Sequence, residues 1–326
     1  MPHPEVAFQL PCRLPLSELV SLARQAEQAG FDEVWAVEDC FYAGGIATTA
    51  SVLASTERVR VGIGILPAVA RNPAFTAMEL AAVAELHPGR LVAGIGHGVP
   101  GWMRQVGAAP DSFLTALGET LDAVRRLLHG ETVTVEGAHV RLDGVRLEFP
   151  PPVVPQILAG VRRPKSLAVS GRHADGTLLA EPATPEYIAA ARRSIDEGRG
   201  DVGRAGHRVT AYTWFHVAED AAKARDALRP EIARIVAQPA WGVHLTPLDF
   251  AAELGALAEL PVDERAAALR DEWIDALAVV GTPADCARRL GELHAAGADG
   301  IVLCPPVEIE DQLRLAAEHV LPLVRS

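Results

Sequence analysis

Lysine is almost missing from this chain. Lys165 and Lys223 are the only two in 326 residues, and the 30 basic residues fall well short of the 42 acidic ones. The net charge of −12 leaves no basic face for a phosphate backbone or an anionic lipid surface, whose binding depends on such a face and on counterion release. Nucleic acid and membrane are therefore not expected partners; a small molecule is. Cysteine is equally scarce. Cys12, Cys40, Cys286 and Cys304 make no CxxC pair, which fits reduced thiols better than a disulfide framework or a zinc site, so no metal is expected. Long apolar runs are lacking as well: none approaches the roughly 20 residues that span a bilayer. Met1 to Leu10 has no basic segment ahead of its apolar run. Those two features point to a cytoplasmic protein. What is abundant is ordinary core-forming material, 49% hydrophobic against 22% charged, enough for one large folded unit over residues 1–326.

Along the chain, short β-branched runs alternate with longer helical patterns punctuated by Gly, Asp and Pro. Strands are expected near Val6 to Leu10, Glu33 to Val37, Val59 to Leu66, Leu91 to Gly96, Gln156 to Gly160, Gly176 to Ala180, Arg208 to Val217 and Gly300 to Cys304. Helical patterns fit between them, the last from Pro283 to Ala296 ahead of the eighth strand. Eight parallel strands with eight crossover helices close more naturally into an α/β fold of the (β/α)8 TIM-barrel type than into an open sheet. Two stretches break the rhythm. Residues 131–149 alternate apolar and polar around Gly137 and Gly144 and read as a β insertion after the fourth strand. Residues 241–277, between the seventh and eighth strands, read as mobile loop plus an extra helix, a candidate lid.

In such a barrel the reacting groups come from loops at the carboxyl ends of the strands. The fourth strand ends in Gly94-Ile95-Gly96-His97-Gly98, where residues without side chains let a ring or a phosphate approach the backbone. His97 could titrate near neutrality, or be only a polar residue of the mouth. After the fifth strand, Gly160-Val161-Arg162-Arg163-Pro164-Lys165 brings free N–H groups, a helix start and three cations together, a good anion site unless it is simply a solvated helix start. Cys12, Cys40 and Cys304 fall at neighbouring strand ends, where a thiolate cluster is conceivable although no histidine stands at a ligand spacing. Trp102, Met103, Trp241 and His244 fall in expected loops and could line a substrate pocket, with Cys40 beside them, or could simply pack a lid.

Three segments taken together, Gly30 to Asp39 (GFDEVWAVED), Arg58 to Pro73 (RVRVGIGILPAVARNP) and Gly89 to Gly96 (GRLVAGIG), resemble the luciferase-like family of flavin and deazaflavin oxidoreductases, in that family's order. Pro155 to Gly160, His173-Ala174-Asp175-Gly176, Val280 to Pro283 and Ala298-Asp299-Gly300 look like its later landmarks, so the resemblance spans nearly the whole chain. Arg71-Asn72-Pro73 and the glycine-rich fourth strand are most similar to the branch that includes methylenetetrahydromethanopterin reductases, which use coenzyme F420.

The resemblance implies an F420-dependent oxidoreductase that passes hydride between the deazaflavin and a small organic substrate. The ring would lie against a third-strand bulge at Gly64 and Ile65 joined by a cis peptide, and the phosphate on Gly96, His97, Gly98, Ala159, Gly160, Val161 and Arg162. A side chain at Gly160 is then expected to intrude on that phosphate. Asp39 matches an acidic residue by the ring edge, so Asp39 and His97 are the catalytic candidates. Cys40 and Val99 stand where deazaflavin sugar-phosphate dehydrogenases carry His and Glu, which argues against a sugar phosphate as substrate. The alternatives are an FMN-dependent monooxygenase supplied by a separate flavin reductase, and a barrel that holds flavin without turnover. A homodimer is expected because Ile46 to Ser55 and Ala74 to Leu86 are apolar around most of their circumference.

Overall fold

Residues 3–200 and 206–326 are described by the computed structural model. Among these residues eleven strands run in chain order as β1 (Glu5–Leu10), β2 (Glu33–Ala36), β3 (Arg60–Pro67), β4 (Leu91–Gly96), β5 (Val133–Glu136), β6 (Arg141–Val145), β7 (Gln156–Gly160), β8 (Gly176–Leu179), β9 (Arg208–Val217), β10 (Ala278–Gly281) and β11 (Gly300–Cys304). Eight of them, in the order β9-β11-β1-β2-β3-β4-β7-β8, are parallel neighbours, and β8 pairs back onto β9 to close the ring. These are the eight strands expected from the sequence, and the fold is a TIM barrel. Strands β5 and β6 form an antiparallel hairpin inside 131–149, as its alternation implied. Glu119 fastens that hairpin by accepting from the backbone N–H groups of Ala138, His139 and Val140, each at 2.9 Å.

The helices are α1 (Leu16–Gln28), α2 (Gly45–Ala54), α3 (Pro73–Leu86), α4 (Pro100–Gln105), α5 (Phe113–Leu128), α6 (Pro164–His173), α7 (Pro185–Arg199), α8 (Ala221–Val236), α9 (Gly242–Leu245), α10 (Ala251–Ala256), α11 (Val262–Ala268), α12 (Asp271–Leu277), α13 (Pro283–Ala295), α14 (Ile309–Leu315) and α15 (Leu321–Val324). Local chemistry sets several starts. Asn72 caps α3 by accepting from the Ala74 N–H at 2.9 Å, and Thr282 and Asp285 form a capping box on α13. Each is followed by a proline at the first helical position.

Where the structure departs from the sequence expectation, the departures lie around the mouth. Residues 241–277, expected as loop plus one extra helix, hold four short helices instead: α9 to α12 pack with α8 and β10 into a core of their own, containing Leu245, Leu254, Trp273 and Ile274. Strand β10 was not foreseen; it lies outside the ring and pairs with the last four residues of β9, from Trp214 to Val217. Trp102 and Met103 sit on the short helix α4, His244 on α9, and Trp241 in a 3-10 turn from Pro239, so none of the four lies in irregular loop.

The barrel interior is layered. Glu33, fully buried, accepts from Trp35 Nε1 at 2.9 Å and pairs with Arg208 at 2.8 Å and Arg60 at 3.0 Å. This ion network fills the amino-terminal end. Above it lie Ala7, Trp35, Val92, Leu158, Leu178, Tyr212 and Val302, and the carboxyl ends of the strands open above those.

Candidate active site

Pairing between β3 and β4 runs Ile63 to Ala93 and resumes at Leu66 to Ile95, so Gly64 and Ile65 face the single residue Gly94. This is a β-bulge, and the Gly64–Ile65 peptide is cis, as expected. The bulge turns Ile65 across the neighbouring strands. A Cβ on Gly160 would lie 2.4 Å from Ile65 Cγ2, one on Gly96 2.5 Å from the Gly160 carbonyl oxygen, and one on Gly94 2.4 Å from the Ile63 carbonyl oxygen. Three glycines on β4 and β7 are thus required by the packing of the strand ends. The expectation that a side chain at Gly160 would meet a phosphate is corrected here: it would meet Ile65 first. Gly64 has its own neighbour, since a Cβ there would fall 2.3 Å from the Tyr212 hydroxyl.

Asp39 leaves the end of β2 half-buried. Its Oδ2 accepts from Cys12 Sγ at 3.6 Å, and burial raises its pKa while that bond opposes the rise. The Cys12 thiol is pushed up to about 11, first by burial and then by Asp39. Cys304 is buried at the end of β11 and its thiol donates to the Val302 carbonyl at 3.4 Å. Two of the three mouth cysteines therefore behave as neutral thiols tied to oxygen, and among the described residues no group of three or more His, Cys, Asp or Glu could hold a metal ion. Cys40 is half-buried next to Glu38 and Asp39, and burial with those two charges raises its pKa.

His97 is committed on both nitrogens. Its Nδ1 lies 3.1 Å from the Phe113 carbonyl, which can only accept, so Nδ1 carries the proton; Nε2, 2.9 Å from Ser166 Oγ, accepts from that hydroxyl. Burial lowers its pKa and keeps the ring neutral. His97 thereby joins the start of α5 to the first turn of α6. At that same helix start the Arg162 guanidinium stacks 4.5 Å over the Trp241 ring, and the Arg162 carbonyl accepts from Tyr187 Oη at 2.8 Å. His244 donates from Nδ1 to the Pro182 carbonyl at 3.2 Å and packs on Tyr187 with ring centroids 4.1 Å apart. Trp241 and His244 thus tie the helical cap of residues 241–277 to the barrel, while Trp102 stands half-buried on α4, beyond the end of β4.

Three residues of this end have no role assigned from the sequence, although Glu38 and Glu181 fall at expected strand ends and so at the mouth. Glu38 accepts a bidentate pair from Arg71 at 2.7 and 2.8 Å and takes the Gly45 N–H at the start of α2 at 2.5 Å. The signal was a carboxylate beside Asp39 in a strand end that already looked functional. Glu181 lies two residues past β8, and Tyr212, inside the barrel on β9, has its hydroxyl against Gly64; Glu181 carried the signal of an acidic strand end, whereas nothing in the pattern of β9 singled out Tyr212.

The chain matches the family model described as luciferase-like monooxygenase over residues 3–300. It is 32% identical over 317 residues to a 5,10-methylenetetrahydromethanopterin reductase of Methanolobus tindarius, covering 94% of this chain and 96% of that one. An F420-dependent glucose-6-phosphate dehydrogenase of Microbacterium testaceum is 28% identical over 332 residues, covering 95% and 94%. Among solved structures, the coenzyme F420 dependent tetrahydromethanopterin reductase of Methanopyrus kandleri superposes with a TM-score of 0.84 at 21% identity, over 98% of this chain and 99% of that one.

Proposed function

Because the chain belongs to the luciferase-like monooxygenase family, we propose that it is an oxidoreductase passing hydride between coenzyme F420 and a small organic substrate. The observation that carries this reading is the floor made by Ile65 over Gly94, Gly96 and Gly160. With no side chains on those strand ends, a planar ring meets backbone and one isoleucine. The start of α6, with its free N–H groups and Arg162, stands beside that floor as a seat for the cofactor phosphate. The cofactor supplies the hydride chemistry at C5 of its ring.

The residues divide the remaining work. Gly98 and Ala159 to Arg162 hold the phosphate end through backbone; His97 holds α5 and α6 in register and so positions that seat. Asp39 would face the ring edge, and Cys40, Trp102 and Trp241 would border the substrate, with His244 buried behind Trp241 as part of the cap's attachment. Cys40 and Val99 in place of the His and Glu of sugar-phosphate dehydrogenases direct the reading away from a sugar phosphate. Two copies associate through the α3 surface, where Phe75, Met78 and Leu86 are exposed.

Fluorescence titration of the purified apoprotein with F420 and, separately, with FMN tests the reading. Saturable F420 binding with weak or no FMN binding is expected. Tight FMN binding with none for F420 would replace it by the monooxygenase served by a separate flavin reductase, and F420 binding without any accompanying turnover would favour a cofactor-holding barrel.

A further inference from the structure

Residues 37–44 carry the chain from β2 to α2 at the mouth without regular structure, and Asp39 and Cys40 lie on them. Little in that connection holds itself down. Phe41 is 64% exposed and Tyr42 59%, so neither ring packs it against the barrel. The Tyr42 N–H closes a turn on the Asp39 carbonyl at 2.9 Å, and the Cys12 thiol, a weak donor, reaches Asp39 across 3.6 Å.

The anchor is Glu38. Its two carboxylate oxygens receive the Arg71 guanidinium at 2.7 and 2.8 Å, and Oε2 also takes the Gly45 N–H at 2.5 Å. Arg71 has no other hydrogen-bond partner among the described residues. A Cβ on Gly45 would lie 3.1 Å from Glu38 Cβ and 3.1 Å from Ile63 Cγ2, so the first turn of α2 is seated on Glu38 and on the residue that precedes the bulge. One carboxylate thus ties the end of β2 to the start of α2, to the β3–α3 connection and to the strand that carries the floor. The Glu38 side chain is 11% exposed and that of Arg71 28%, and a carboxylate so enclosed is stable only while its cation is present.

We propose that Glu38 and Arg71 are positioning residues for this site: the pair fixes the β2–α2 connection so that the Asp39 carboxyl stays enclosed in the mouth beside Cys12, in register with the floor made by Ile65. What Asp39 does there rests on the hydride-transfer reading above; the geometry of the pair does not. The ion network of Glu33, Arg60 and Arg208 fills the opposite end of the barrel and cannot take over this task.

The two ways in which Arg71 could act on Asp39 have opposite signs. Acting by charge alone it favours a nearby carboxylate, so its removal, which also leaves Glu38 uncompensated, raises the pKa of Asp39 further. Acting by position it keeps Asp39 enclosed, so its removal lets the connection swing into water. The burial that raises the Asp39 pKa is then lost, and the value falls towards the ordinary 3.8. Cys40 separates the two in the same way. Its thiol is raised by burial and then by Glu38 and Asp39, and lowered by Arg71; loss of the cation alone slows alkylation, whereas release of the connection speeds it.

Arg71→Met keeps the apolar stem and removes the fork, and Arg71→Lys keeps the charge and removes the paired geometry. Both are compared with wild type as full-length, cofactor-free proteins carrying carbon-13 in the aspartate carboxyls, the Asp39 resonance being assigned by its loss in Asp39→Asn. In Arg71→Met the Asp39 titration should move down, and iodoacetamide at about pH 8 should alkylate Cys40, read by peptide mass spectrometry, about tenfold faster or more. Arg71→Lys should move both readouts the same way by a smaller amount. F420 affinity, read by fluorescence, should stay within about threefold in both variants, because floor and phosphate seat lie on β3, β4, β7 and α6. An upward shift of Asp39 with slower alkylation, or no change in either readout, overturns the positioning role. A loss of F420 affinity beyond about tenfold overturns it too, by showing that the pair builds the floor. Should Arg71→Met fail to fold, as read by far-ultraviolet dichroism, Arg71→Lys decides by the same signs. Failure of wild type to bind F420 would instead remove the cofactor reading, and the two cofactor-free measurements would still decide the pair.

Discussion

His244 illustrates how a side chain read as a pocket candidate serves chiefly to hold the mouth together. It is fully buried, one nitrogen donates to the Pro182 carbonyl, and the other has no partner among the described residues. Its pKa falls to about 3, mainly through burial and then through Arg162, so the fold holds it neutral. The ordinary value is 6.5, and the unfolded chain therefore takes up the proton first as pH falls. The stability this group protects is present above pH 6.5 and is lost as pH drops from there towards 3. His207, lowered to about 4 by burial and then by Arg199 and Arg192, acts in the same direction. Asp39 and Glu181 act in the opposite one, since a raised carboxyl pKa contributes stability at low pH that is lost as pH rises through the folded value. His244→Gln isolates one group from this balance, with an amide that can still donate to Pro182. Between pH 7 and pH 5 its loss of unfolding free energy should be smaller than that of wild type by about 2 kcal/mol, the 1.5 units below 6.5 at 1.36 kcal/mol each. Denaturant melts at the two pH values measure it, and identical losses in the two proteins would show that His244 is not held neutral by the fold.

Among the elements, the helical cap was the least legible in the sequence. Its helices are short, α9 to α12 having four to seven residues each, so no 3.6-residue periodicity runs long enough to stand out. What makes the segment a structure is tertiary. Arg265 is buried and donates to four carbonyls: Leu257 at 3.0 Å, Ala233 at 2.6 Å, Ala258 at 2.9 Å and Leu260 at 2.7 Å. It thereby knits α11 to α8 and to the turn before it, which no local pattern announces. Strand β10 was hidden for a related reason: four residues that pair only because β9 is ten residues long and runs past the ring. Arg265→Leu should leave those carbonyls unpaired and destabilise the cap by roughly 2 to 4 kcal/mol. Lysine at this position should recover only part of the loss, since a single ammonium cannot reach the four carbonyls served by a planar fork. Amide hydrogen exchange should then speed up across 239–277 while β1 to β4 keep their protection. Uniform loss of protection through the whole barrel would show that the cap does not open as a separate unit.

At the scale of the whole molecule, closure of the barrel was readable because all eight ring strands have their own apolar run and their own following helix, a pattern carried by many residues at once. Of the candidate site, the backbone part and the strand-end side chains Asp39 and Cys40 were readable. Glycines at 64, 94, 96 and 160 announce themselves in the sequence, whereas Glu181 and Tyr212 acquire neighbours only through closure of the ring. Association between copies is a question of the same scale. Helix α3 buries Thr76, Ala77, Leu80, Ala81 and Ala84 against the barrel, yet its opposite side is also apolar. Phe75 is 63% exposed, Met78 53% and Leu86 76%, and together with Ala82 they recur at spacings of three and four, forming one continuous stripe. A helix that faced only water would carry charges there; this one carries Glu79 and Glu85 beside the stripe, so a partner meets an apolar centre with an acidic margin. Covering Phe75, Met78 and Leu86 contributes about 1 to 2 kcal/mol each, enough to matter in a symmetric contact where every residue counts twice. The protein should run as a dimer in light scattering at micromolar concentration. The double variant Phe75→Glu, Met78→Glu should be monomeric while retaining its far-ultraviolet dichroism, because both side chains point away from the barrel. A wild-type monomer under those conditions, or a variant that remains dimeric, would place the interface elsewhere or remove it.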